Sequence, residues 1–190
     1  MNYRDTASKL AAWREQIADI RNKMREAQAS VEPEPVRDYE FTTPDGQVRL
    51  SQLFGDKRDL FVIHNMGRSC PACTLWADGF NGIYLHIADR AAFVVSSPDS
   101  PDVQRALAAS RGWRFPMVSH QGTSFAEDMG YRSERGGWLP GVSVFKRDGA
   151  RIIRTADTGF HPSDDFCAVW HLLDLLPEGA DGWRPKFAYQ

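Results

Sequence analysis

Residues 65–76 have the sequence NMGRSCPACTLW, in which Cys70 and Cys73 are separated by Pro71 and one alanine. The apolar residues 60–63 before this stretch predict a buried strand, and the residues after it predict a helix. At a helix start, unpaired backbone N–H groups and the helix dipole favour a thiolate, and proline fits because its missing N–H costs nothing there. The sequence therefore predicts a nucleophilic thiolate at Cys70 and a disulfide partner one turn later at Cys73.

Length and charge narrow the class of protein. The chain has 190 residues, three cysteines and a net charge of −2, which predicts one globular domain with a sizeable core. This charge balance favours neither nucleic acid nor a membrane surface as a partner, and no stretch is apolar enough to span a bilayer. Because the first ten residues are polar, unlike a signal peptide, we expect a cytoplasmic protein. In that compartment a Cys-x-x-Cys pair is usually redox-active or metal-binding.

Zinc binding is the main alternative for the cysteine pair. A structural zinc site needs four ligands, and none of the five histidines has the spacing that would complete one. We therefore expect no metal. The sequence also lacks a Gly-x-Ser-x-Gly motif and a phosphate-binding glycine-rich loop, so no organic cofactor is implied.

Residues 3–30 form one long helical pattern without glycine or proline, and such a helix would be roughly 40 Å long. Two interpretations stay open: an arm packed along its own domain, or an arm that crosses to a second subunit in a homodimer. Prolines at 33 and 35 end the pattern, so we predict a helical arm and linker over residues 1–35 and a domain over 36–190. Apolar residues recur along the arm at steps of three and four: Leu10, Trp13, Ile17, Ile20, Met24 and Ala27.

Strands and helices alternate in the rest of the chain. Turn residues near 44–46 and 147–149 predict two β-hairpins. This order predicts a mixed α/β sheet with helices on both faces. Between and after the hairpins the pattern predicts strands over 60–64, 92–96 and 115–119 and helices over 71–88, 98–111 and 166–176.

On these features the chain resembles the thioredoxin superfamily and, more closely, the bacterial domain-of-unknown-function family 899, predicted thiol-disulfide oxidoreductases. The resemblance implies a thioredoxin-like fold in which Cys70 attacks a disulfide and Cys73 resolves the mixed disulfide. It also implies that Pro140 is a cis-proline that frames the substrate groove beside the dithiol. The stretches that carry the resemblance are CPACTLWADGFNG at 70–82, GWRFP at 112–116, LPGVSVF at 139–145 and HLLDLLPEG at 171–179.

Several further residues are candidates around the dithiol. Pro71, Arg68 and Trp138 are expected to face the substrate, although a solvated arginine and a packing tryptophan are the plainer interpretations. Asp78 is either a proton relay to Cys73 or a solvated helix residue. The expected partners are a disulfide-bearing protein or a small thiol.

Two other functions stay open beside the oxidoreductase: a non-catalytic binding or scaffold module with the same fold, and a thiol peroxidase. Peroxiredoxins carry Thr or Ser three residues ahead of the reactive cysteine in a proline-containing loop. Residues 66–69 of this chain, MGRS, lack that pattern, which weakens the peroxidase interpretation. Thioredoxin itself has a tryptophan just before its first cysteine, where this chain has Arg68 and Ser69, so the substrate-facing surface must differ.

Overall fold

The computed structural model describes residues 2–189 and divides the chain into two compact units, with the boundary between Glu34 and Pro35. The first unit is one long helix, α1 (Tyr3–Ala29), which matches the predicted range closely. Asn2 caps its start, because the Asn2 side chain accepts the N–H of Asp5 at 3.0 Å. No residue of α1 is buried, so its apolar stripe is exposed.

The second unit contains one mixed sheet. Its strands are β1 (Glu34–Val36), β2 (Glu40–Thr43), β3 (Gly46–Arg49), β4 (Asp59–His64), β5 (Ala92–Ser97), β6 (Met117–Ser119), β7 (Gly141–Asp148) and β8 (Arg151–Gly159). They pair in the order β1-β8-β7-β4-β5-β6-β2-β3. Strands β4, β5 and β6 run parallel to one another, whereas β7 and β8 pair antiparallel at one side and β2 and β3 at the other.

Helices cover both faces of this sheet, which confirms the predicted α/β architecture. The helices of this unit are α2 (Pro71–Arg90), α3 (Pro101–Arg111), α4 (Phe125–Asp128) and α5 (Ala168–Leu173). On one face α4 covers an apolar cluster that includes the fully buried Phe125 and Phe145. On the other face α2 and α5 cover a second cluster that includes Trp76, Phe80 and Trp170. None of the helices in the described part of the chain is long and apolar enough to cross a bilayer.

Two helices are shorter than the sequence predicts. Helix α3 begins at Pro101 rather than at residue 98, because Ser100 is its N-cap and proline occupies the first helical position. It ends as predicted, with Gly112 in the left-handed conformation at φ 66°. Helix α5 spans only residues 168–173 of the predicted 166–176, and Cys167, in an extended conformation, precedes it.

The predicted cis-proline is wrong, because the peptide bond before Pro140 is trans. The backbone on either side of this bond is hydrogen-bonded: the N–H of Leu139 donates to Tyr131 O, and the N–H of Phe160 donates to Pro140 O, both at 2.9 Å. The trans form is also the one that an X-Pro bond prefers, by about 0.5–1 kcal/mol.

Candidate functional site

The structure places the two cysteines at the start of α2, immediately after the loop that follows β4. Cys70 is the N-cap of the helix, and its Sγ accepts the N–H of Cys73 at 3.1 Å. Pro71 occupies the first helical position, as predicted. The Sγ of Cys73 accepts the N–H of Met66 at 3.5 Å. Both thiols are free and almost enclosed, with Cys70 9% and Cys73 3% exposed.

The two thiols have opposite acidities. The pKa of Cys70 is lowered to about 7, chiefly because the Cys73 thiol donates a hydrogen bond to it, with the N–H groups of Cys73 and Ala72 adding to the effect against the opposing cost of burial. The pKa of Cys73 is raised, because its proton is held by Cys70, because it is buried and because a second thiolate would lie beside the first. The arrangement therefore favours Cys70 as the nucleophile and Cys73 as the thiol that keeps its proton.

Two side chains that the sequence analysis missed hold the loop ahead of Cys70. Asn65 Oδ1 accepts the N–H of Gly67 at 2.8 Å, and Asp99 Oδ2 accepts the N–H of Arg68 at 2.7 Å. Gly67 has φ 97°, and a Cβ there would lie 3.0 Å from the Asp99 carboxylate, so glycine is required for both reasons. The positions of Asn65 and Asp99 in the sequence could have indicated this role. They follow the neighbouring parallel strands β4 and β5, whose ends meet at one edge of the sheet.

A groove opens beside the dithiol. Pro71 and Ala72, the residues between the two cysteines, form one side of this groove of about 620 Å³. The other side consists of Pro162 and Ser163, Trp170 and part of the C-terminal segment 180–185. Trp170 packs edge-to-face on Trp183 with ring centroids 5.7 Å apart. The groove is therefore mostly apolar and aromatic, and it reaches the loop that carries the nucleophile.

The other predicted site residues lie in different surroundings. The exposed Arg68 borders a shallow depression along α3. Trp138 packs on the first apolar cluster, edge-to-face with His120 at 4.8 Å and beneath the Arg132 guanidinium at 4.9 Å.

Asp78 joins α2 to the end of α3. It pairs with Arg111 and accepts the indole N–H of Trp113 at 2.8 Å. Neither predicted role of Asp78, proton relay or solvated residue, describes this contact. Within residues 2–189, no three His, Cys, Asp or Glu side chains gather as potential metal ligands.

A pair of buried histidines lies on the α4 side of the sheet. His64 Nε2 is 2.9 Å from Ser143 Oγ, and His120 Nδ1 is 3.0 Å from Ser96 Oγ, so each ring shares a hydrogen bond with a serine. Burial, together with the charges of His120 and Arg154, holds the pKa of His64 well below its usual range. Burial lowers the pKa of His120 to about 4. Both rings are therefore neutral at pH 7.

The acidity of Cys70 gives the first prediction. The rate at which iodoacetamide alkylates Cys70 is expected to rise with pH around a midpoint near 7, because only the thiolate reacts. An unperturbed cysteine has a midpoint of about 8.5. Mass spectrometry of the peptide that contains residue 70 measures the rate at each pH.

The control removes the main cause of the shift. Cys73→Ala deletes the S–H donor and is expected to raise the midpoint for Cys70 toward the ordinary value. The same midpoint in both proteins would contradict the role assigned to Cys73.

Comparison with solved structures identifies relatives of the fold. Peroxidoxin BcpB from Mycobacterium tuberculosis is 26% identical, with a TM-score of 0.52 over 64% of this chain and 80% of that one. Peroxiredoxin Q from Xanthomonas campestris is 18% identical, with a TM-score of 0.55 over 64% and 79%. Reduced Prx3 from Vibrio vulnificus, in complex with H2O2, is 13% identical, with a TM-score of 0.55 over 70% and 87%. The fold is therefore the thioredoxin-like fold of the peroxiredoxins, as predicted.

Comparison with sequence families identifies the group. A search of curated proteins finds no match. The model of the family described as "Bacterial protein of unknown function (DUF899)" matches residues 7–187, which is nearly the whole chain and includes both cysteines. This chain is therefore a member of the DUF899 family of bacterial proteins, as its sequence motifs predicted.

Proposed function

We propose that this protein is a thiol-disulfide oxidoreductase whose Cys70 and Cys73 cycle between a dithiol and a disulfide. The observation that carries the proposal is the position of Cys70 at the N-cap of α2, where its Sγ accepts the N–H of Cys73 one turn away. The pKa of Cys70 is lowered to about 7, chiefly by the neighbouring Cys73 thiol. An appreciable fraction of Cys70 is then a thiolate near neutral pH, while the raised pKa of Cys73 keeps that thiol protonated for a second step.

The reaction proceeds in two exchanges. The Cys70 thiolate attacks one sulfur of a substrate disulfide, which forms a mixed disulfide and releases the other substrate sulfur as a thiolate. Cys73 then loses its proton to solvent or to the departing thiolate and attacks Cys70 Sγ. This step releases the second substrate thiolate and leaves a Cys70–Cys73 disulfide, so two electrons have passed from the protein to the substrate. An external dithiol restores the reduced state.

The groove beside Pro71 supports a protein disulfide as substrate. Its proline, alanine and tryptophan side chains suit an extended apolar segment on either side of a substrate cysteine. A small thiol would fill only part of the roughly 620 Å³. Pro140, Arg68 and Trp138 are not among the residues that line this groove, so their substrate-facing roles stay predictions. A homodimer through α1 stays an untested alternative, and the charges along α1 oppose it. We place the reaction in the cytoplasm, where a reducing pool keeps such a dithiol reduced.

A thiol peroxidase is the second candidate, because the similar solved structures are peroxiredoxins, one of them 26% identical. The Cys70 thiolate would cleave the O–O bond of a peroxide, taking up one oxygen as a sulfenic acid and releasing water or an alcohol. Cys73 would condense with that sulfenic acid, releasing water and forming the same disulfide. Position 67, three residues ahead of Cys70, is still a glycine, where peroxiredoxins place threonine or serine.

One set of measurements tests the proposal. The reduced protein is expected to reduce insulin disulfides, and two of its three cysteines are expected to become oxidised together in a glutathione redox buffer. Thiol titration gives the reduction potential of the pair, and a peroxide assay run in parallel gives the competing rate. Faster consumption of peroxide than of insulin disulfide would favour the second candidate. If the two cysteines do not pass between the dithiol and the disulfide in either assay, the remaining interpretation is a non-catalytic binding module.

A further inference from the structure

The apolar stripe of α1 follows a strict heptad repeat. With Leu10 at position a, the residues Leu10, Trp13, Ile17, Ile20, Met24 and Ala27 alternate between positions a and d, and we call this set the seam. Exposure of its large side chains ranges from 39% at Leu10 to 64% at Met24. The large apolar side chains of α1 occupy only two of the seven positions and form a narrow line, which is the width of a contact with one other helix.

Charge is segregated around the seam. The flanking positions e and g set partner choice in helix pairs. Every charged residue at these positions of α1 is a cation, and no acidic residue occurs among them. The four cations are Lys9, Arg14, Arg21 and Lys23, and the glutamines Gln16 and Gln28 occupy two further flanking positions. The acidic residues of the helix all lie at positions c and f, away from the seam: Asp5, Glu15, Asp19 and Glu26.

This segregation disfavours a second copy as the partner. In a parallel pair of α1 helices, position g of one copy faces position e of the other, which sets Lys9 opposite Arg14. In an antiparallel pair, e faces e and g faces g, so every charged contact again joins two cations. No register brings an acidic side chain next to the seam, and like charges at these positions repel.

A membrane surface fits less well than a helix. A helix that lies in a lipid interface needs a broad apolar face, and the seam of α1 is narrow. The remainder of the circumference carries four acidic side chains, which an anionic surface repels: Asp5, Glu15, Asp19 and Glu26. We propose that the seam binds an amphipathic helix of another protein, with apolar residues at positions a and d and acidic residues at e and g.

The test uses the full-length protein and a designed probe. The probe is a 28-residue peptide of about four heptads, with isoleucine at a, leucine at d and glutamate at e and g, which repels itself at neutral pH. A counterpart carries lysine at e and g. Isothermal titration is expected to show 1:1 binding of the acidic peptide, weakened by salt, and no binding of the basic one.

A matched pair of variants locates the contact. Lys9→Glu with Lys23→Glu reverses two flanking charges and is expected to weaken binding at least about tenfold. Arg4→Glu with Arg25→Glu makes the same change in net charge at two b positions and is expected to alter binding less than about twofold. Circular dichroism confirms that both variants keep α1 helical.

Each other outcome overturns the proposal. A dimer of the chain alone by light scattering would assign the seam to a second copy. Recruitment to phosphatidylglycerol vesicles without peptide binding would assign it to a membrane. Equal binding of both peptides, equal effects of both double variants, or no binding at all would show that the flanking cations do not select a partner.

Discussion

Replacing Cys70 with serine is expected to lower the rate of insulin reduction at least about a thousandfold, to the level without protein. The structure gives the reason, because the thiol of Cys70 is the one whose pKa is brought to about 7. A serine hydroxyl at the same position, the N-cap of α2, stays protonated and does not attack sulfur. The neighbouring thiol does not substitute for it, because the pKa of Cys73 is raised and the residue is only 3% exposed.

The matching change at Cys73 separates the two exchanges. Cys73→Ser is expected to retain the first attack and to stop at the mixed disulfide, because the resolving thiol is gone. Non-reducing electrophoresis should show the protein joined to its substrate, with one substrate equivalent bound per chain. Cys167→Ser is the control, because Cys167 lies in the second apolar cluster next to α5. This substitution is expected to leave turnover unchanged. Equal rates for wild type and Cys70→Ser would refute the proposed function.

The site was predictable where local rules decide it. A proline one residue after a cysteine, at the end of an apolar run, specifies both the helix start and the position of Cys70 in it. The spacing of one helical turn indicated a nucleophilic thiolate at Cys70 and a partner thiol at Cys73, whereas the raised pKa of Cys73 also depends on its burial in the folded protein. The positions of Arg68 and Trp138 depend on long-range packing, and for them the sequence left two interpretations open.

Long-range register explains what the sequence did not predict. Successive residues of β4 face opposite sides of the sheet: Leu60 and Val62 lie in the first apolar cluster, and Phe61 and Ile63 lie in the second. The apolar run 60–63 already indicated such a strand with both faces buried. His64 continues the set of Leu60 and Val62, but its serine partner comes from β7, 79 residues away. The backbone partners beside Pro140 are likewise set by long-range pairing with Tyr131 and Phe160, and the sequence alone did not indicate the trans bond found there.

Acid is expected to destabilise this protein well above the pH at which ordinary carboxylates titrate, and His120 is a main cause. In the unfolded chain a histidine binds a proton with a pKa of about 6.5, whereas in the folded protein burial lowers the pKa of His120 to about 4. Between these values the unfolded state binds more protons, so stability falls as pH falls. The difference between the two pKa values of His120 corresponds to a loss of about 3 kcal/mol in the free energy of unfolding at pH 4. His64 acts in the same direction, because its pKa is also lowered in the folded protein.

Urea unfolding at several pH values between 7 and 4 measures this loss. His120→Asn keeps a polar group near Ser96 but no longer titrates, so its free energy of unfolding is expected to fall less steeply below pH 6.5. The substitution is also expected to lower the free energy of unfolding at pH 7. This loss shifts the whole curve of stability against pH without changing its slope. His86→Asn, on an exposed face of α2, is the matched control and should keep the wild-type slope. Because carboxylates titrate in all three proteins, an equally steep fall in His120→Asn would assign the acid sensitivity to them instead.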